Sequence, residues 1–155
     1  RRHPRQEPRR EGEHHLNEHV DVAVVGAGAA EGAQGSRGSL LITGGISPDL
    51  PYAWAGAMFS PGVTVMAPAN LSSKKEISFW ARGDGKACRL MLFAKSLGFQ
   101  PAIKSFVAGS EWKRFTFRIS EFGGMDGSDL TGILFAGGPA PGRFVLQIDD
   151  VVLSR

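Results

Sequence analysis

Cysteine is almost absent from this 155-residue chain, with Cys88 its only example. A single thiol excludes an internal disulfide and a thiolate metal cage. Histidine stops at His19, so nothing beyond it can offer an imidazole as general base or as partner to Cys88. An excess of either charge is also missing. Lys and Arg number 18 against 15 Asp and Glu, a formal +3. Five Arg and four Glu fall in the first nineteen residues, leaving about +2 for the rest. That balance implies no polyanion-binding surface, and no nucleic-acid partner is expected. No apolar run approaches the roughly 20 residues of a membrane span, so no membrane partner is expected either. The chain opens on Arg with no signal-peptide core and reads as a fragment.

What is abundant is turn chemistry. Twenty-one glycines and nine prolines in a chain that is 42% hydrophobic suit many short strands joined by turns, in one domain. Residues 1–19 are polar and cannot bury enough surface to offset their ordering entropy, so a flexible arm is expected there. The domain proper spans residues 20–155. Strand-like runs fall at residues 20–25, 40–43, 55–59, 63–66, 77–82, 88–94, 103–107, 113–119, 132–136 and 144–153, spaced by Gly, Pro, Asn and Asp. Helical scraps are confined to residues 16–19 and 120–122. The pattern predicts an all-β sandwich or barrel.

Several constellations invite a chemical reading. Gly26-Ala-Gly28-Ala-Ala-Glu-Gly32 places its third glycine one residue late for a dinucleotide fingerprint, and residues 34–39 offer no helix to face a pyrophosphate. It reads as a Gly-rich loop between two strands. His14, His15 and His19 with Glu13 and Glu18 lie in the arm, where nothing fixes a metal geometry. Asp149 and Asp150 are adjacent in the last strand, so one must turn inward or sit at a bulge. Asp149 could share a calcium ion with Asp21, pair with Arg82, or pin the N-terminal strand by hydrogen bonds.

In residues 77–82, Ile77, Phe79 and Ala81 fall on one face and Ser78, Trp80 and Arg82 on the other. Arg89, Met91 and Phe93 could extend that second face, as could Arg118 and Gln147, making a ligand groove or a covered docking face. Tyr52 and Trp54 could stack on a sugar ring or plug the end of the sandwich. Trp112 is expected to anchor a strand start in the core. The carboxylates Asp84, Asp126, Asp129, Asp149 and Asp150 mostly sit in turns, without the paired geometry of glycoside cleavage.

Trp54-Ala-Gly56, Phe79-Trp-Ala-Arg-Gly-Asp-Gly85, Glu111-Trp112, Phe122-Gly-Gly-Met-Asp-Gly127 and Ile148-Asp-Asp-Val151 within residues 144–153 resemble the complex I intermediate-associated protein 30-kDa family. That family is related to family 11 carbohydrate-binding modules and shares their galactose-binding-like jelly roll. The ordered match spans roughly residues 20–155, and it is nearest to the version appended to bacterial amidohydrolases. The Gly-Gly-x-Ser segment expected ahead of the first strands is not recognisable in residues 1–19. The resemblance implies a non-catalytic accessory domain, an all-β jelly-roll β-sandwich of two antiparallel sheets, that binds carbohydrate; from the faces read above, Trp80, Arg82, Arg89, Arg118 and Gln147, with Tyr52 and Trp54, are the expected ligand-binding residues. Its alternative is an assembly domain that docks a neighbouring catalytic domain or protein subunit. It also implies a structural calcium on Asp149, which matches the last-strand aspartate of the related modules; Asp21 is the residue that could share it. A bacterial periplasmic or extracellular location is favoured, with cytoplasm or mitochondrion open.

Overall fold

The computed structural model describes residues 22–23, 31–51 and 53–155. The polar arm, the helical scrap at 16–19 and the histidine cluster lie outside the described residues, as do Asp21 and Tyr52. Nine strands run in chain order: β1 Val22–Ala23, β2 Leu40–Ile46, β3 Ala55–Phe59, β4 Glu76–Gly83, β5 Ala87–Ala94, β6 Ala102–Val107, β7 Lys113–Arg118, β8 Leu130–Gly137 and β9 Gly142–Ser154. They form a jelly-roll β-sandwich of two antiparallel sheets, ordered β1-β2-β9-β4-β7 and β3-β8-β5-β6. Helical structure among the described residues is limited to three 3-10 turns: Ala33–Gly35, Lys95–Leu97 and Ile119–Glu121. The last overlaps the scrap expected at 120–122.

Period-two alternation puts Ile77, Phe79 and Ala81 of β4 inward, all fully buried. Phe79 sits where the layers meet. Its ring centroid lies 5.2 Å from Phe106 and 4.9 Å from Phe135, both edge-on and both from the four-stranded sheet. Within its own sheet it stacks on Phe115 at 5.6 Å and Phe117 at 6.3 Å. Offset and edge-to-face rings attract beyond the area they bury, so this cluster ties the two layers together. Around it pack Ile42, Leu90, Leu92, Ile133, Leu146 and Ile148. Gly137 is bare because the Phe144 ring lies on it: an added Cβ would meet that ring at 2.5 Å.

The turn after β4 carries the chain from one layer to the other. Asp84 closes it, accepting the Lys86 N–H on Oδ1 and the Val145 N–H on Oδ2, each at 3.1 Å. It is not a hairpin within one sheet. β4 pairs with β7 and β9, whereas β5 pairs with β6 and β8 in the opposite layer.

Residues 63–66 are not a strand, contrary to the expectation from their alternation. They bend and turn in a loop, with Met66 at φ 62° and the Ala67 N–H bonded to the Thr64 carbonyl. Val63 and Val65 are exposed at 101% and 81%. Alternating apolar residues make a strand only where a neighbouring strand takes up their hydrogen bonds, and none among the described residues does so here.

Two outcomes are expected. Phe79→Ala should destabilise the fold by about 3–5 kcal/mol, the usual cost of emptying a packed aromatic site, read from urea unfolding. Cys88 is buried, and desolvation first, then the nearby Asp84 charge, raises its pKa from 9.0 to about 11. The folded chain therefore keeps a proton that the unfolded chain loses above pH 9. This contribution to stability is constant below that pH and declines as pH rises toward 11. At pH 8 a disulfide thiol reagent should label Cys88 only as fast as the chain unfolds; immediate labelling would contradict the burial.

Candidate functional site

The outer face of the five-stranded sheet carries Ser78, Trp80 and Arg82 from β4. Register sets Arg82 opposite Gln147 and Trp80 opposite Asp149 on β9, with Trp80 also opposite Arg114 on β7. Arg118 lies opposite Glu76, six residues along β4 from Arg82 and so about 20 Å away. Trp80, Arg82 and Gln147 therefore come together as expected, while Arg118 stands at the far end of the same face.

These side chains are engaged with one another. Arg82 Nε donates to Gln147 Oε1 at 2.6 Å, Gln147 Nε2 to Ser39 Oγ at 3.2 Å, and Ser39 Oγ to the Glu31 carbonyl at 2.9 Å. The Arg82 guanidinium lies 4.9 Å from the Trp112 ring centroid and 3.9 Å from Glu31 Oε2. Trp112 is thus not a core anchor, contrary to expectation. Lys113 pairs with Ala81, so alternation turns Trp112 to the outer face beside Arg82, where a cation–π contact covers it.

Asp149 resolves the question of adjacent carboxylates. Asp150 sits at a β-bulge with φ 49°, where the register jumps from Ser78↔Val152 to Trp80↔Asp149. Asp149 Oδ2 accepts the Ala33 N–H and Oδ1 the Asp150 N–H, each at 2.8 Å. Arg82 is not its partner, because that guanidinium is held by Gln147, Trp112 and Glu31. Asp149 pins the segment before β2, which comes so close that a Cβ on Gly32 would lie 2.4 Å from Oδ2. Calcium takes six to eight oxygens. Asp149 has both of its own engaged, its expected co-ligand Asp21 lies outside the described residues, and no group of three His, Cys, Asp or Glu gathers among the described residues. The other turn carboxylates likewise hold backbone. Asp126 accepts the Ser128 N–H, a bond that lowers its pKa, and Asp129 accepts the Ser96 N–H.

Arg89 is not on this face. It was expected beside Trp80, but the turn after β4 delivers β5 to the other layer. There Arg89 points outward with Met91 and Phe93, opposite Ala136 of β8 and Ser105 of β6. The next row sets Met58, Leu134, Met91 and Ile103 side by side. Trp54 precedes β3 against Gly138, whose added Cβ would meet the Ala53 carbonyl at 2.4 Å. The outer face of the four-stranded sheet thus exposes Trp54 at 41% and Met58 at 43%, with Ile103 and Val107 also open. Beneath them Met91, Leu134 and Ala136 are buried as a small cluster of their own. Met58, Ile103, Ser105 and Val107 had no signal in the sequence beyond alternation, since their neighbourhood arises from pairing. A separate cleft of about 870 Å³ opens between the layers, walled by Ala57, Phe59, Ile133, Phe135, Ile148 and Leu153.

No protein-family model and no curated protein sequence matches the chain. Its fold is similar to the family 11 carbohydrate-binding module of the cellulosomal cellulase Lic26A-Cel5E of Clostridium thermocellum: 17% identity, TM-score 0.62, covering 87% of this chain and 81% of that one. A family 11 module from the same organism, in complex with a β-1,3-1,4-mixed-linked tetrasaccharide, aligns at 20% identity and TM-score 0.60 over 87% and 82%. A family 29 carbohydrate-binding module aligns at 11% identity and TM-score 0.53 over 77% and 72%. At these identities the likeness is one of fold alone, a jelly-roll β-sandwich.

Asp149→Ala should cost about 1–3 kcal/mol in urea unfolding, since it strips an acceptor from two backbone N–H groups. Hydrogen exchange at Ala33 should speed up while the β5–β8 ladder stays protected. Unchanged exchange at Ala33 would remove Asp149 as the pin.

Proposed function

We propose that this domain binds a carbohydrate chain, without transforming it, along the outer face of its four-stranded sheet. The observation that carries the reading is the contrast between the two faces. On the five-stranded sheet the Trp112 ring is covered by Arg82, and the polar groups of Arg82, Gln147 and Asp149 already satisfy one another or backbone. On the four-stranded sheet Trp54 and Met58 stay open, four residues and so about 13 Å apart along the strand, with Arg89 and Ser105 on the row between them. Apolar sugar C–H faces pack on such rings, while a few polar groups fix orientation. The fold shared with carbohydrate-binding modules, one of them holding a tetrasaccharide, supports the same reading. In a longer protein, such a domain would keep a catalytic neighbour on its polymer.

A second reading takes the same exposed apolar face, with Val107 at 56% and Ile103 at 44%, as the docking surface for a neighbouring domain. One panel separates them. Affinity electrophoresis against soluble polysaccharides should show retardation of the native chain, weakened about tenfold (about 1.4 kcal/mol) by Trp54→Ala. Trp80→Ala and Arg82→Ala should leave it unchanged. Loss in Trp80→Ala alone would move the site to the five-stranded sheet. No retardation by any glycan would favour docking.

A further inference from the structure

We infer that the carbohydrate held on the four-stranded sheet carries carboxylates, as a uronate-containing chain does, and that Arg89 is the residue that selects it. The inference rests on the groove assignment above and adds the chemical class of its ligand.

Register fixes the outward residues of that face: Gly56 and Met58 from β3, Gly132, Leu134 and Ala136 from β8, Ala87, Arg89, Met91 and Phe93 from β5, and Ile103, Ser105 and Val107 from β6. Arg89 is the one charged side chain among them, and no acidic residue shares the face. It is part-buried, flanked along β5 by Ala87 and Met91 and across β8 by Ala136. Among the described residues it has no hydrogen-bond or ion-pair partner, in contrast to Arg82, Arg114 and Lys86. Arg82 bonds Gln147, Arg114 bonds Ser78 at 3.3 Å, and Lys86 Nζ donates to the Arg143 carbonyl. The N–H donors of the Arg89 guanidinium therefore have no protein acceptor among the described residues, and an anionic ligand group would supply one.

The shape of the group narrows the choice. One planar fork matches one planar carboxylate with two parallel hydrogen bonds. Ser105, directly across β6 and exposed, can bond a neighbouring sugar hydroxyl. No second cation stands on the face, which argues against a densely sulfated chain, whose charge calls for a basic cluster.

Isothermal titration should compare oligogalacturonate and oligomannuronate with a neutral mixed-linked β-glucan oligosaccharide and a sulfated oligosaccharide of similar length. The native chain is expected to prefer the uronates by about ten- to hundredfold, an advantage that shrinks with added salt. Arg89→Gln should remove that preference, Arg89→Lys should keep part of it, and both should melt with the native chain. Neutral glycan bound as tightly as uronate, with Arg89→Gln silent, would overturn the inference and leave the groove reading standing. Preference for the sulfated chain would overturn the carboxylate assignment. No binding of any sugar would overturn the groove reading and this inference with it.

Discussion

The packing of Phe79 against rings from both layers is the contact on which the rest of the structure depends. With Phe106 and Phe135 on one side and Phe115 and Phe117 on the other, it sets which face of each central strand points inward. Side chains alternate strictly along a strand, so a choice made at one residue is inherited by the whole strand. Turning Phe79 inward turns Trp80 and Arg82 outward on β4. Cross-strand register then turns Arg114 outward on β7, with Trp112 just before that strand, and Gln147 and Asp149 outward on β9.

The two outer faces that result differ in kind. The face of the five-stranded sheet closes on itself, because the segment Glu31–Ser39 lies over it and supplies partners for Asp149, Gln147 and Arg82. Its polar side chains act as clasps between regions distant in sequence. The face of the four-stranded sheet receives no such strap among the described residues. It keeps an open tryptophan, two open aliphatic side chains and an unpaired arginine. A surface of that composition gains free energy by being covered, and the unpaired charge restricts what can cover it.

Much of the fold was legible in the chain. Turn residues, β-branched and aromatic runs and period-two patterning placed the nine strands within about three residues, because those signals are local. Residues 63–66 show the limit: Val63 and Val65 alternate like a strand, but hydrogen-bonding partners decide strand identity and the pattern cannot supply them. Asp149 and Asp150 show the opposite: their adjacency narrowed the outcome to an inward turn or a bulge, and a bulge is found at Asp150. The candidate site was legible only in part. Trp80, Arg82 and Gln147 were rightly grouped, but Arg89 was placed with them on the assumption that consecutive strands share a sheet. In a jelly roll the connection between β4 and β5 crosses from one layer to the other, and nothing in Gly83-Asp-Gly85 distinguishes a corner from a hairpin.

By itself, then, the sequence determined a β architecture rich in turns, the division of Ile77, Phe79 and Ala81 from Ser78, Trp80 and Arg82 along one strand, and a chain beyond His19 without imidazole, each a matter of composition or of neighbours along the backbone. Tertiary structure alone decided which polar groups are already paired and which are left to meet a ligand. Arg82 and Gln147 lie 65 positions apart, Ala33 and Asp149 lie 116 apart, and Arg89 faces Ala136 only because two sheets interleave their strands. Pairings over such distances are set by the packing of the two layers as a whole, and no local pattern encodes them.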